Sequence, residues 1–185
     1  MPKRSRKADR SDAMALIQSA ASFAARSHEN QTRKDRRTPY IAHPFRVAMT
    51  VRHLFGCEDA IAIAAAILHD TIEDCTVDFD DLESRFGATV AHIVAALTKN
   101  MALRQDEREA DYDARLARAD WRARLIKLAD AYDNFADTSG VSRAMHTRAL
   151  ARAKRAIALA KPDAVAHPEI ARAILALRER ITSGR

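Results

Sequence analysis

The chain has 185 residues, of which 48% are hydrophobic, a formal net charge of +6, and only four glycines and five prolines. This length and hydrophobic content exclude a disordered chain and are typical of one globular domain, and the composition favours helices over strands. No apolar run of 18 residues is present, so no transmembrane helix is expected, and the charged N-terminus lacks the apolar segment of a signal peptide.

The positive charge is concentrated at the N-terminus. Residues 1–10 hold five of the 31 basic residues but only one of the 25 acidic residues, so the remaining chain is nearly neutral. We therefore predict a disordered basic tail over 1–10 and one folded domain over 11–185. The tail could bind a polyanion, but nucleic acid is not the expected partner of the folded domain. The cysteines, Cys57 and Cys75, have no metal-binding spacing and suit a reducing cytoplasm.

Hydrophobic residues recur at helical spacing along most of the chain, and no alternating run of strand length is found. The predicted fold is therefore all-α, a single bundle-like domain of roughly eight helices. The polar segment 29–42 is predicted to be a loop, and the nearly all-apolar segment 58–69 is predicted to lie at the centre of the bundle. The predicted helices cover residues 11–28, 44–55, 58–69, 78–87, 88–100, part of 101–120, 121–137, 142–160 and 168–182.

Four polar residues follow the central apolar segment directly. The run IAIAAAIL at 61–68 leads into His69, Asp70, Glu73 and Asp74. On a helix, the two later acids would lie one turn beyond the His-Asp pair. Burying charged groups without partners is costly, and a divalent metal ion would compensate because His and Asp are ordinary ligands for such ions.

Two other segments could complete the shell of such an ion. His43 stands at a loop-to-helix junction in the segment YIAHP, and Asp130 ends the apolar segment LIKLAD. A charge after an apolar helical run is unfavourable unless it has a partner. These positions are therefore candidates for further metal ligands.

The same segments resemble motifs of a known family. In order and spacing, they are similar to the HD-domain (p)ppGpp hydrolases of the RelA/SpoT homologues: RKDRRTPYIAHP, LHDTIEDC, FGATVAHIVAALTK and IKLADAYDN. His28, Gln31, Arg33 and Lys34 in HENQTRK also fit the first motif. The resemblance runs from about residue 12 to residue 160. The short chain is most similar to the single-domain branch of this family, the small alarmone hydrolases.

This resemblance implies an HD-type metal-dependent phosphohydrolase domain that holds one Mn²⁺ ion through His43, His69, Asp70 and Asp130. The chemistry of these ligands would also admit Fe, Co or Zn. The resemblance further implies that the substrate is a guanine nucleotide alarmone. The reaction would remove the 3′-pyrophosphate of ppGpp or pppGpp, giving GDP or GTP and pyrophosphate.

The resemblance also assigns roles to residues around the metal. Glu73 and Asp74 are the candidate catalytic residues, which would orient the attacking water or take its proton. Arg33 and Lys34 are candidate substrate-binding residues, which would stack on the purine or contact phosphate. Asn134, four residues after Asp130, would help to hold the nucleotide near the metal.

Several positions depart from the usual family pattern. Ala131 replaces a common Arg, Asp133 replaces a common His or Tyr, Asp137 occupies the place of a frequent Thr, and Asp35-Arg36 follows the RK pair. We expect these changes to affect the nucleotide side of the site rather than the metal side.

The departures leave two alternative functions open. The same metal chemistry could act on another phosphorylated nucleotide, such as ppApp or NADPH, or the protein could be a nucleotide-binding regulator without turnover. The arginines of segment 142–160 are predicted to form a solvated helix face, with contact to a phosphate as the alternative. No membrane partner is expected, and the sequence makes no prediction about the oligomeric state.

Overall fold

The computed structural model describes residues 6–136 and 143–183. The described residues contain nine helices of eight residues or more, one single-turn helix, and no strand beyond an isolated bridge between Thr32 and Pro39. This confirms the predicted all-α fold. The helices are α1 (Arg6–Ser27), α2 (Ala42–Met49), α3 (Ala60–Leu68), α4 (Thr71–Asp74), α5 (Phe79–Phe86), α6 (Ala88–Leu97), α7 (Gln105–Arg118), α8 (Trp121–Ala136), α9 (Arg143–Ala160) and α10 (Pro168–Ser183).

Several helix boundaries differ from the sequence-based expectation. Helix α1 begins at Arg6, so the second half of the predicted tail is helical, because it contains good helix formers and no glycine or proline. Residues 1–5 lie outside the described part of the chain. The predicted helix 44–55 begins two residues earlier and changes at Thr50–Leu54 into a π-helical turn. The one-turn helix α4 and a 3₁₀ turn at Lys161–Val165 were not predicted.

Helix α3 lies at the centre of the domain, as its apolar sequence predicts. The Asp59 side chain caps its N-terminus by accepting hydrogen bonds from the backbone N–H groups of Ile61 (2.8 Å) and Ala62 (3.0 Å). Every residue of 62–68 is buried, and the helix packs against α1, α2, α6 and α8. Its five alanines keep the helix surface narrow, which lets the neighbouring helices approach closely.

Helix α8 is the second central helix. Leu125, Ile126 and Leu128 are completely buried, and the helix packs against α2, α6, α9 and α10. The side chain of Arg124 is buried at the corner between α7 and α8. It donates hydrogen bonds to the carbonyl groups of Leu116 (2.8 Å), in the last turn of α7, and of Ala119 (2.7 Å), which follows α7. It also forms an ion pair with Asp163.

The packing of α2, α3 and α8 against one another places three distant segments side by side. His43 lies in the first turn of α2, His69 and Asp70 follow α3, and Asp130 lies in α8. None of the helices in the described residues has the length and apolarity needed to cross a membrane.

Replacing Arg124 with Ala is expected to lower the free energy of unfolding by about 3 kcal/mol, because buried carbonyl groups and Asp163 lose their donor. Arg118→Ala, which removes an exposed arginine from the end of α7, is the matched control and should change the free energy by less than about 0.5 kcal/mol. Urea unfolding followed by circular dichroism measures both changes. Equal unfolding midpoints for the two variants would contradict this role of Arg124.

Candidate active site

The four residues predicted as metal ligands lie together. The ligand atoms of His43, His69 and Asp130 are all within 4.8 Å of one another. The Nε2 atom of His43 is 3.3 Å from an oxygen of Asp130 and 3.5 Å from an oxygen of Asp70. The Nε2 atom of His69 is 3.1 Å from the other oxygen of Asp70. Two imidazoles and two carboxylates from three helical segments therefore face a common point.

Hydrogen bonds on the far side of each imidazole determine which nitrogen faces this point. The Nδ1 atom of His69 is 2.9 Å from the carbonyl oxygen of Ala66, and because a carbonyl only accepts, Nδ1 carries the proton. The Nδ1 atom of His43 donates in the same way to Asp133, at 2.7 Å. In the neutral rings, both Nε2 atoms therefore present lone pairs to the cluster.

This donor set fits a divalent cation. The Nε2 atom of His69 is buried and has no hydrogen-bond partner among the described residues. An unpaired buried acceptor beside carboxylates is costly unless a cation lies between them. Two imidazole nitrogens and two carboxylates are a common ligand set for transition metals. His43, His69, Asp70 and Asp130 could therefore hold one divalent metal ion.

The electrostatics of the cluster favour ionised carboxylates. Burial opposes ionisation of Asp70, but the neighbouring His69 outweighs it and lowers the pKa of Asp70 to about 2. Burial also opposes ionisation of Asp130, but the charge of Lys127 and a hydrogen bond with His43 hold its pKa well below its usual range. Lys127 contacts Asp130 at 2.9 Å and keeps its proton, because Asp130 and Tyr112 raise its pKa against the effect of burial.

Glu73 and Asp74, the two candidate catalytic acids, lie beside the cluster on α4. Thr71 holds this single turn in place by donating to the carbonyl of Leu68 (2.7 Å). Glu73 accepts a hydrogen bond from the backbone N–H of Lys99 (3.0 Å). Solvent reaches Glu73, but the surrounding protein displaces enough water to raise its pKa, and the charges of Asp70 and Asp74 act in the same direction.

Tyr40 connects the candidate catalytic acids to the cluster. Its hydroxyl lies 2.7 Å from an oxygen of Asp74 and 2.8 Å from an oxygen of Asp70, and it can donate its single proton to one of them at a time. Burial and the two carboxylates raise the pKa of Tyr40 well above its usual value, so it remains a donor at neutral pH. Tyr40 is not among the site residues predicted from the sequence, although it precedes His43 in the YIAHP segment.

The three candidate substrate-binding residues lie around the mouth of the same site. Arg33 donates to the side-chain oxygen of Asn134 at 3.3 Å, and the amide of Asn134 in turn donates to Asp130. Lys34 lines the adjacent cavity. The loop that carries Arg33 and Lys34 is tied to α4 because Gln31 donates to the backbone carbonyl of Asp74 (2.8 Å).

The cluster opens into a cavity of about 480 Å³, a size typical of small-molecule sites. Helix α9 contributes Arg148, Arg152 and Arg155 to its lining. Arg148 and Arg152 are exposed, as predicted for a solvated face, but they also border the cavity. Arg155 pairs with Glu109 and Asp113. Arg148 and Arg152 form no ion pair with any residue in the described part of the chain, although Arg152 is near enough to help to lower the pKa of Glu109.

The structure corrects the interpretation of the departures from the family pattern. Asp133 does not lie on the nucleotide side, because its carboxylate accepts the Nδ1 proton of His43 behind the cluster. Asp35 organises its own loop by accepting hydrogen bonds from the backbone and hydroxyl of Thr38, which together lower its pKa to about 2. Ala131 does line the cavity, and Asp137 lies outside the described residues.

Comparison with known proteins identifies the family of this chain. A family model described as HD domain matches residues 20–160. The chain belongs to the HD-domain family. This HD-domain chain is 43% identical over 124 residues to the guanosine-3′,5′-bis(diphosphate) 3′-pyrophosphohydrolase MESH1 of Danio rerio, covering 66% of the chain and 69% of the relative. It is 41% identical over 128 residues to the human protein of the same name, covering 69% and 71% of the two chains.

The HD-domain chain also resembles a solved structure of a metazoan ortholog of SpoT that hydrolyses ppGpp and plays a role in starvation responses. The TM-score is 0.79 at 28% sequence identity, and the match covers 91% of this chain and 95% of the other. The resemblance to the alarmone hydrolases that was based on four short motifs is therefore confirmed over most of the domain.

The affinity of this site for a divalent cation should rise with pH. Although burial favours the neutral ring, hydrogen bonds to Asp130 and Asp133 and nearby carboxylate charges raise the pKa of His43 to about 9 in the metal-free protein. A proton on Nε2 competes with a metal ion, and raising the pH removes this proton. The dissociation constant for Mn²⁺ should therefore fall by up to about tenfold per unit between about pH 6.5 and 8.5.

Isothermal titration calorimetry over this pH range measures the effect. His92→Ala, which removes an exposed histidine on α6, is the control and should follow the wild-type dependence. A dissociation constant that stays the same across the range would show that His43 does not exchange its proton for the metal.

Proposed function

We propose that the protein is a metal-dependent hydrolase that removes the 3′-pyrophosphate of ppGpp or pppGpp and releases GDP or GTP with pyrophosphate. The observation that carries this proposal is the convergence of two imidazole Nε2 atoms and two carboxylates beside Glu73 and Asp74 at one wall of a cavity. The named activity of the relatives, guanosine-3′,5′-bis(diphosphate) 3′-pyrophosphohydrolase, supports the choice of substrate.

His43, His69, Asp70 and Asp130 would hold one divalent ion, for which we propose Mn²⁺. When bound, such an ion lowers the pKa of water and offsets negative charge on phosphate oxygens. The hydrogen bonds to Ala66 and Asp133 direct the imidazole lone pairs to this place without further rearrangement. Lys127 holds Asp130 from the opposite side, which keeps that carboxylate ionised.

Glu73 is the candidate for the group that accepts the proton of the attacking water. Its raised pKa brings it closer to neutrality, where a general base is most effective. The backbone N–H of Lys99 orients its carboxylate. Water adds across the bond between the 3′ oxygen and its phosphorus, and a proton must reach the 3′ oxygen as GDP leaves. Asp74, whose carboxylate lies 2.7 Å from the hydroxyl of Tyr40, would orient the attacking water.

The rest of the cavity suits a nucleotide with several phosphates. Arg33, Lys34 and Asn134 border the metal cluster, and Arg148 and Arg152 of α9 line the same cavity. Guanidinium groups bind phosphate through paired, charge-assisted hydrogen bonds. We propose that the substrate lies between these two groups, with its 3′-pyrophosphate at the metal cluster.

We place this reaction in the cytoplasm. Cys57 and Cys75 are both free thiols, which agrees with a reducing compartment. The alarmone is the only partner that the proposal requires.

The first test is hydrolysis of ppGpp in the presence of Mn²⁺, with the products separated by anion exchange. The wild type should yield GDP and pyrophosphate, and Asp70→Asn should lose at least about 100-fold in rate because one ligand loses its charge. Asp80→Asn, which changes an exposed acid in α5, is the control and should match the wild type.

The same assay with pppGpp, ppApp and NADPH distinguishes the alternatives. Turnover of ppApp or NADPH without ppGpp would replace the proposed substrate and point to Ala131 in the cavity wall. Nucleotide binding without turnover of any of them would indicate a regulatory protein instead.

The arginines of α9 provide a second test. Replacing both Arg148 and Arg152 with Ala should raise the KM for ppGpp by about tenfold or more, because two phosphate-binding cations are lost. Arg143→Ala with Lys154→Ala removes the same charge from the same helix at positions outside the cavity lining, and should leave KM unchanged. Equal KM values for the two double variants would contradict this position of the nucleotide.

A further inference from the structure

Two pairs of side chains meet where α2 packs against α8. His43 and Arg46 are three residues apart on α2, and Asp130 and Asp133 are three residues apart on α8. Residues at this spacing share a helix face, so each pair faces the other. His43 spans the contact, because its Nε2 atom faces Asp130 at 3.3 Å and its Nδ1 atom faces Asp133 at 2.7 Å.

Asp133 is held firmly in this position. Only 6% of the residue is exposed. Arg46 donates to both of its oxygens, from Nε at 2.6 Å and from Nη2 at 2.8 Å. This paired arrangement fixes the plane of the carboxylate as well as its charge. The carboxylate therefore cannot turn away from His43 without breaking two short hydrogen bonds.

The contact decides which nitrogen of His43 carries the proton. A neutral imidazole has one N–H, and on the Nε2 side the oxygens of Asp130 and Asp70 both compete for it. If Nε2 carried the proton and donated it to those oxygens, it would have no lone pair left to bind a metal ion. Asp133 offers a closer acceptor on the opposite side, and it also limits rotation of the ring.

We propose that Asp133, clamped by Arg46, is a positioning residue that keeps the proton of His43 on Nδ1 and thereby raises the affinity of the cluster for its divalent cation. This inference rests on the proposed function, because it concerns the same metal site. Partners of this kind behind a metal-bound histidine typically change metal affinity by about 10- to 100-fold.

The test compares Mn²⁺ affinities by isothermal titration calorimetry at about pH 8.5, because the hydrogen bond to Asp133 also helps to raise the pKa of His43, and competition from a proton on Nε2 is weakest at high pH. Asp133→Ala should raise the dissociation constant by about 10- to 100-fold. Asp133→Asn keeps an acceptor for Nδ1 but turns an amide donor toward Arg46, so it should have an intermediate effect. Tyr132→Phe removes a neighbouring hydrogen bond, the one from Arg180 at 2.9 Å, without touching the cluster. This control should bind Mn²⁺ as the wild type does.

A second readout separates positioning from a merely structural role. At saturating Mn²⁺, the KM for ppGpp of Asp133→Asn should stay within about twofold of the wild-type value, because the phosphate-binding side chains are unchanged. A general loss of structure would instead raise KM and lower the melting temperature of the metal-free protein. If Asp133→Ala does not fold, Asp133→Asn alone carries the comparison.

The possible failures are distinguishable. Wild-type affinity in Asp133→Asn and in a folded Asp133→Ala would overturn the role of Asp133 and leave the proposed hydrolase intact. A wild-type protein that binds no divalent cation would overturn both. A loss of affinity in Tyr132→Phe equal to that in Asp133→Asn would also overturn the proposal, because the effect would then belong to the helix rather than to the carboxylate.

Discussion

The structure depends on one unfavourable interaction. Two carboxylates and two imidazole nitrogens, all of which accept hydrogen bonds, lie close together in a largely buried region. Asp70, Asp130 and two imidazole lone pairs converge at the junction of three helices, where the protein displaces much of the water that would otherwise solvate the two carboxylates. The fold supplies cations around this point, with Lys127 beside Asp130 and Arg46 behind Asp133. The two Nε2 atoms and the two carboxylates could together hold a divalent cation, and binding of such an ion would stabilise the junction of the three helices.

The helices that carry the cluster are held in place by apolar packing that does not involve it. Helix α3 is buried over residues 62–68, and the apolar residues of α8 that precede Asp130, Leu125, Ile126 and Leu128, are completely buried. The ligands are therefore attached to rigid elements whose positions are set before any metal binds. Glu73 and Asp74 lie instead on a separate single turn, held by Thr71 at its start, so the candidate catalytic acids approach the cavity without distorting the core.

The residues that depart from the family pattern illustrate how motif comparison can mislead. Asp133 stands one position before Asn134, which contacts Arg33 at the cavity, yet the side chain of Asp133 contacts His43 behind the cluster. Neighbouring residues on a helix are about 100° apart, so adjacent letters in a motif often serve different surroundings. In the sequence, the contact of Asp133 with His43 and Arg46 is indicated only by two spacings of three residues, from Asp130 to Asp133 and from His43 to Arg46. These spacings predict a contact only once it is known that α2 packs against α8.

The sequence by itself determined the helical fold, the family and the candidate metal ligands. The fold follows from local periodicity, while the family and the set of candidate ligands follow from a resemblance to four short motifs, each of which can be recognised within a short window of sequence. Only the tertiary structure decided that Asp133 supports His43, that Tyr40 joins Asp70 to Asp74, and that the α9 arginines border the cavity. These contacts join residues 30 to 90 positions apart, and they arise from the way helices pack rather than from any pattern within one of them.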